Sequence, residues 1–386
     1  MKKFTKILCL AMALMMCAVT LSACSSSKLF PDAKDTFCIG ATGPLTGENA
    51  SYGISVQRGA QIAIKEINEE LGGLNGIKFS FEMIDDVAAP DKAATGYTSL
   101  IEAGMQLSIG SVTSGACKSF GDAAKEDNLI LITPSASADN VIGTGDHAFR
   151  VCFGDPQQGE MAAETLSAEY KKIGVIYDKS DAYSQGLYDA FEAKMTSLNK
   201  VKDTDYFVIT FDASSKDTFV TNAVDTLKGK GCDVLFLPFY YEAAGKVAMQ
   251  AAKTEYNVPI FGCDGLDGIA GQIDDTVKAT VSYITPFDVN STDAAVKKFV
   301  DAYKAEFDGE LPDQFAADGY DAVMILYAAM KEANIDDVDM TASELTEALK
   351  PILTGGTFKY SGVTGKDMTW DKSGSCNKAA NIVEVK

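Results

Sequence analysis

The chain has 386 residues, with 34 Lys and Arg against 54 Asp and Glu, a formal charge of −20. That acidity argues against a nucleic-acid surface, which needs clustered Lys and Arg. A single histidine, His147, largely excludes a His-built zinc site or a Ser-His-Asp triad. At 46% hydrophobic and 23% charged residues, the remainder has the composition of a soluble globular protein with core enough for two or three domains.

Lys2, Lys3 and Lys6 precede an apolar run over 7–19. Such a run is shorter than the about 20 residues that cross a bilayer, so 1–23 reads as a secretory signal peptide. Leu21-Ser22-Ala23-Cys24 resembles the bacterial lipobox, in which Cys24 is acylated and becomes the mature N-terminus. Ser25-Ser26-Ser27 then opens a polar, lipid-anchored linker over 24–35. A lipid on Cys24 would hold a soluble body at the outer face of a membrane. Cleavage before Cys24 removes three Lys and no acid, which leaves the body at −23 and keeps it off anionic lipid.

Beyond the signal and Cys24, six cysteines remain: Cys38, Cys117, Cys152, Cys232, Cys263 and Cys376. An exported chain with six cysteines invites a disulfide reading. Their spacing is wide, however, and no CxxC occurs. Cys38, Cys152 and Cys232 sit in apolar runs, where a thiol packs as a small hydrophobe. Free buried thiols are the expectation.

Strands and helices alternate along the body. A strand at 37–41 leads to a helix near 56–71, and a strand at 79–84 to a helix opened by Pro90, a residue suited to a first helical turn. A strand at 107–112, a helix at 116–127 and strands at 129–133 and 149–153 follow. Helix 157–170, strand 173–177, helix 184–197 and strand 206–211 continue the pattern. It runs on through helix 218–229, strand 234–239, helix 242–256 and strand 258–262. The last third carries helices near 292–307, 317–333 and 341–350, strands at 357–360 and 382–385, and a turn at 371–374. Repetition of this kind predicts an α/β fold with parallel sheets flanked by helices. Some ten strands exceed one comfortable sheet, so two similar Rossmann-like lobes are expected.

In such sheets ligands sit beyond the carboxyl ends of the strands. Two loops fall there: Ser111-Val112-Thr113-Ser114-Gly115-Ala116 and Thr133-Pro134-Ser135-Ala136-Ser137-Ala138. Each offers hydroxyls and free backbone N–H groups without a cation, and a helix N-terminus beside them suits a carboxylate. Either loop alone also reads as a helix cap or a Ser-rich turn; the pair points to a binding site. The chain has no P-loop or GxGxxG, so a nucleotide phosphate is not the natural anion.

These loops belong to a longer series. Ile39-Gly40-Ala41-Thr42-Gly43-Pro44-Leu45-Thr46-Gly47, Tyr52-Gly53, Gly59-Ala60-Gln61-Ile62-Ala63, Ile67-Asn68, Gly72-Gly73 and Asp85-Asp86 open it. Ile132-Thr133-Pro134-Ser135-Ala136, Phe149-Arg150-Val151, Asp155-Pro156-Gln157-Gln158-Gly159, Tyr183-Ser184-Gln185-Gly186 and Gly319-Tyr320-Asp321-Ala322 continue it. In this order the mature chain resembles the type I periplasmic binding proteins of the branched-chain amino acid (leucine/isoleucine/valine) transport family. The resemblance implies two lobes joined by three crossings, lobe 1 over 36–155 and 285–353 and lobe 2 over 156–284 and 354–386. It also implies the ligand contacts. Ser114 matches the residue that holds the ligand's α-carboxylate. Ser137 matches one that contacts carboxylate and ammonium, and Ser135, with Ala136 beside it, offers backbone to the ammonium. Asp264 falls where an acid of the second lobe pairs with the ammonium, though it is one methylene shorter than the glutamate of leucine-type receptors. Tyr52, Tyr183 and Tyr240 fall at aromatic positions of the cleft. Ala88 and Thr113 stand where some relatives have a disulfide.

An amino acid zwitterion requires donors at one end and a negative group at the other, which the serine loops and Asp264 supply independently of the resemblance. The expected protein is therefore an extracytoplasmic, lipid-anchored solute-binding protein of an ABC importer. It takes a small, aliphatic amino acid to permease and ATPase subunits as a monomer, with no cofactor, metal or catalysis. Three alternatives stand beside it: the same fold with an amide, urea-like or other small carboxylate ligand; a ligand-sensing receptor module; and a thiol enzyme using Cys117 or Cys263 with His147 as base.

Overall fold

The computed structural model describes residues 29–216 and 218–385; the signal segment and Cys24 lie outside the described residues. Two sheets carry the fold. The first has five strands in the order β2-β1-β3-β4-β5, formed by β1 (Thr36–Gly43), β2 (Lys78–Asp85), β3 (Leu107–Ser108), β4 (Leu131–Thr133) and β5 (Ala148–Arg150). All neighbours pair in parallel, with Ile39 opposite both Phe81 and Leu107. Phe37, Ile39 and Ala41 enter the core shared with α1 (Ala50–Lys65), whereas Cys38 enters the core formed with α2 (Pro90–Glu102) and α3 (Ser114–Glu126). Burial on both faces explains why β1 reads as an unbroken apolar run rather than an alternating one.

A single helical turn, α4 (Asp139–Ile142), precedes β5, after which the chain crosses to the second sheet. This has six strands in the order β13-β10-β9-β8-β6-β7. The strands are β6 (Ile173–Asp178), β7 (Tyr206–Phe211), β8 (Val234–Leu237), β9 (Ile260–Gly262), β10 (Val281–Thr285) and β13 (Asn381–Glu384). Pairing is parallel except between β10 and β13. Val175 packs with α5 (Asp155–Glu169) and α6 (Ala182–Ser197), and Ile176 with the opposite layer of α7 (Phe219–Lys230) and α8 (Tyr241–Lys253).

The chain then returns to the first sheet through α9 (Ala294–Glu306), α10 (Gln314–Glu332) and α11 (Ala342–Thr354). Helix α10 lies against α1 so closely that a Cβ at Gly59 would fall on the Ala316 carbonyl. One at Gly319 would meet the Val56 carbonyl oxygen at 2.5 Å. Both glycines sit in the motifs quoted above, and the contact between two helix backbones is the physical reason for them. A hairpin, β11 (Thr369–Trp370) with β12 (Cys376–Asn377), encloses the 371–374 turn. It also seals the crossings: Trp370 Nε1 donates to Arg150 O at 2.8 Å, and Arg150 N donates to Gly374 O at 3.1 Å. Lys378, fully buried, pairs with Asp318 of α10 at 2.9 Å.

Two departures from the sequence reading stand out. No strand forms over 357–360; a lone bridge joins Tyr360 to Met368, and the chain then turns so that the Val363 and Thr364 amides reach the Asp321 carboxylate. Strand β10 is not among the strands expected above, because only two single-turn 3-10 helices, Asp264–Leu266 and Ile269–Gly271, separate it from β9 and the strand–helix rhythm skips it. All six cysteines of the body are free and buried, as expected. Among the described residues, no helix is long and apolar enough to cross a membrane.

Replacing Gly319 by Ala should wedge α1 from α10 and lower stability by about 1–3 kcal/mol, the range for overpacking a tight contact. A melting curve superimposable on wild type would contradict that packing.

Candidate functional site

The carboxyl ends of β3 and β4 face those of β6, β8 and β9, and the loops leaving them meet between the two sheets. On the first side, buried polar contacts fix the serine loops. Ser111 Oγ donates to Asp86 at 2.5 Å and lies 2.7 Å from Thr42 Oγ1. Thr133 Oγ1 donates to Ser111 O and Ser135 Oγ to Val112 O, each at 2.8 Å. Ser114 Oγ accepts from Ala138 N at 3.2 Å, which leaves its own proton available to a ligand. Ser114 opens α3, so the first-turn N–H groups and the positive end of the helix dipole lie beside that hydroxyl.

On the second side, Tyr183 donates to Asp264 Oδ1 at 2.7 Å and accepts from Gly265 N at 2.8 Å. Asp264 N donates to Gln158 Oε1 at 2.9 Å, and Gln314 Nε2 donates to Asp264 O at 2.8 Å. Burial pushes the Asp264 carboxyl up to about 7, against the opposing effect of the Tyr183 hydrogen bond. Tyr52 bridges the sides: its hydroxyl donates to Gly265 O at 2.5 Å and accepts from Tyr241 N at 3.1 Å.

Between them lies an inner cavity of about 10 Å³, room for roughly one water molecule. Thr113, Ser114 and Ser135 line it from one side, Tyr183, Tyr240 and Asp264 from the other. An outer cavity of about 480 Å³ continues toward the surface, and Thr113 and Tyr240 border both. The structure thus brings together Tyr52, Ser114, Ser135, Tyr183, Tyr240 and Asp264. Ala136 and Ser137 are buried and line neither cavity. Ser137 Oγ, both Asp155 carboxylate oxygens and Gln158 Nε2 have no protein hydrogen-bond partner within bonding geometry. Burial raises the Asp155 carboxyl well above the ordinary range, although the Ser137 hydroxyl faces it.

Sequence reasoning missed Val112, Gly265 and Phe315 as lining residues and gave Thr113 no ligand role. Val112 and Thr113 stand inside the first quoted loop and Gly265 directly follows Asp264, so their position was legible and their orientation was not. Phe315, packed against Tyr52 with ring centroids 4.3 Å apart and planes tilted by 39°, carries no sequence signal. The thiols proposed as nucleophiles are unactivated: burial lifts Cys117 to about 11 and Cys263 well above its ordinary value. His147 Nε2 is engaged with Gly121 O at 3.1 Å. Among the described residues, no group of three or more His, Cys, Asp or Glu is placed to hold a metal.

Two parallel-sheet halves meeting on a cleft of serine loops, tyrosines and one buried acid define a two-lobed solute-binding protein. The chain belongs to the periplasmic binding protein family, whose profile matches residues 36–386. It is 30% identical over 361 residues to the Leu/Ile/Val-binding protein BraC3 of Rhizobium johnstonii, covering 91% of this chain and 94% of that protein. The branched-chain amino acid transporter substrate-binding protein LivJ of Streptococcus pneumoniae, solved with isoleucine, superposes with a TM-score of 0.78. That match is 28% identical and covers 90% of this chain and 95% of LivJ. The leucine-binding protein LivK of Thermotoga maritima shares the fold with a TM-score of 0.79 at 23% identity, covering 91% and 96%.

An acid protonated to about 7 when folded and to roughly 4 when unfolded binds more protons in the folded state, so it weakens folding as pH rises between those values. Asp264→Asn should therefore gain stability relative to wild type from pH 4 to pH 8, by up to a few kcal/mol. Denaturant titrations giving a constant difference across that range would contradict a protonated Asp264.

Proposed function

We propose that this protein is an extracytoplasmic solute-binding protein of an ABC importer, and that it binds a small aliphatic amino acid in the cleft. The observation that carries the reading is the opposition of charge across the seam. The N-terminus of α3 with Ser114 offers donors from one side, and Asp264 offers a buried carboxylate from the other. A zwitterion fits that opposition, carboxylate on the donors and ammonium on the acid, where exclusion of water strengthens both contacts. The isoleucine in LivJ and the name of BraC3 support a branched-chain ligand.

The lobes proposed are 36–155 with 285–353 and 156–284 with 354–386. The separation of the strands into two sheets supports this division, and the Trp370–Arg150 and Lys378–Asp318 contacts would tie the two lobes together at the crossings. A ligand held by groups of both lobes stabilises their closed arrangement by contacts that exist only there, and the closed shape is what a permease would read. The protein performs no catalysis in this scheme; ATP hydrolysis on partner subunits drives transport. Ser137, Ala136 and Ser135 supply the backbone and hydroxyl contacts around the ammonium once the halves part enough to admit it. Acylation of Cys24 after removal of 1–23 anchors a monomer at the membrane.

Asp264→Ala should weaken amino acid binding by about 2–5 kcal/mol, and Ser114→Ala by about 1–3 kcal/mol because backbone donors remain. Unchanged affinities by titration calorimetry would reject this site. Cys24→Ala should release the protein from membranes, and pelleting with membranes at high salt in that variant would reject the anchor.

A further inference from the structure

Two hydroxyls at the junction of the inner and outer cavities, Thr113 Oγ1 and Tyr240 OH, have no protein hydrogen-bond partner. They come from opposite halves, Thr113 immediately before α3 and Tyr240 immediately before α8. A threonine at the N-cap ordinarily turns its hydroxyl onto a first-turn amide. Thr113 makes no such bond, although it is only 5% exposed. Tyr240 is not free to search for a partner elsewhere. Its ring stacks on Tyr183 at 5.1 Å and 6°, and packs against Tyr52 at 5.7 Å. A buried hydroxyl left unmatched is destabilising, and here two face one junction. Of the remaining inner wall, Val112 and Phe315 are apolar, and the polar Ser114, Ser135 and Asp264 are the groups assigned above to the amino acid head. The lining therefore asks for a side chain that is mostly carbon with one hydrogen-bonding group.

We propose that Thr113 and Tyr240 form a subsite for a side-chain hydroxyl, and that the protein prefers a small β-hydroxy amino acid such as L-threonine over its aliphatic isostere L-valine. This rests on the amino acid reading of the cleft and adds the polarity of the side chain. Shape alone does not separate the two ligands, since they differ by a hydroxyl for a methyl. A site whose buried polar groups need the ligand's hydroxyl discriminates against the analogue that lacks it.

The test is titration calorimetry of the purified full-length protein with L-threonine, L-valine and L-leucine, repeated on Thr113→Val and Tyr240→Phe. Wild type should bind threonine roughly tenfold or more tightly than valine. Thr113→Val should lose most of that ratio by weakening threonine while leaving valine equal or tighter, and Tyr240→Phe should lower it in the same direction. Should Thr113→Val fail to fold by circular dichroism, Tyr240→Phe carries the test. Valine binding wild type as tightly as threonine overturns the proposal. So does an equal loss for both ligands in the variants, which would assign the hydroxyls to the shared amino acid head. Leucine binding without a threonine preference overturns only this inference, whereas no binding of any of the three overturns the amino acid reading as well.

Discussion

A carboxylate in a dry seam is the constraint around which this protein is arranged. Asp264 lies where water cannot solvate its charge, so it must be protonated, hydrogen-bonded or met by a cation. Tyr183 meets it on one oxygen. The same phenol takes the Gly265 amide, and the Gly265 carbonyl takes the hydroxyl of Tyr52 from the other half. One run of hydrogen bonds thus leads from the acid to the opposite sheet, and the halves cannot part without breaking it. Charge at the acid and the spacing of the halves are consequently linked quantities.

The facing side solves a different problem, holding hydroxyl-rich loops rigid. Thr133 and Ser135 donate to the backbone of the first loop, at Ser111 O and Val112 O, and Ser111 donates to Asp86, so the ordering of these turns is completed during folding. A guest then meets a preformed surface and spares the entropy of arranging it. Of the hydroxyls left over, Thr113 and Tyr240 border the cleft, while Ser137 is buried behind it beside Asp155. In a native protein such groups are uncommon, and their clustering sets this region apart from the apolar layers that support it.

Much of this was legible in the sequence, for reasons that also explain what was not. Strand β7 and the start of α2 at Pro90 fall where strand-length apolar runs and a first-turn proline put them. Strands β11 and β12, two residues each, are too short for any period to reveal. Strand β10 hides because no α-helix, only two single 3-10 turns, lies between it and β9. At the site, the two Ser-rich turns and Asp264 were found from their place after strands and from the family motifs. Which side chains face the cavity was harder. Ser137 points into the protein while Thr113, two positions from Ser111 in the first loop, faces the cleft; one rotation of a loop residue decides this, and spacing does not encode it. Phe315 reaches Tyr52 from far along the chain through the contact of α1 with α10.

The six thiols of the body carry a practical consequence. Each is buried, and burial raises the pKa of every one, so in the folded chain they are poor nucleophiles. Unfolding exposes them to solvent and restores ordinary reactivity. Alkylation by a simple maleimide therefore reports opening of the chain region by region, with Cys38 and Cys117 following the first sheet and Cys232 and Cys263 the second. The molecule carries its own labels for learning which half yields first.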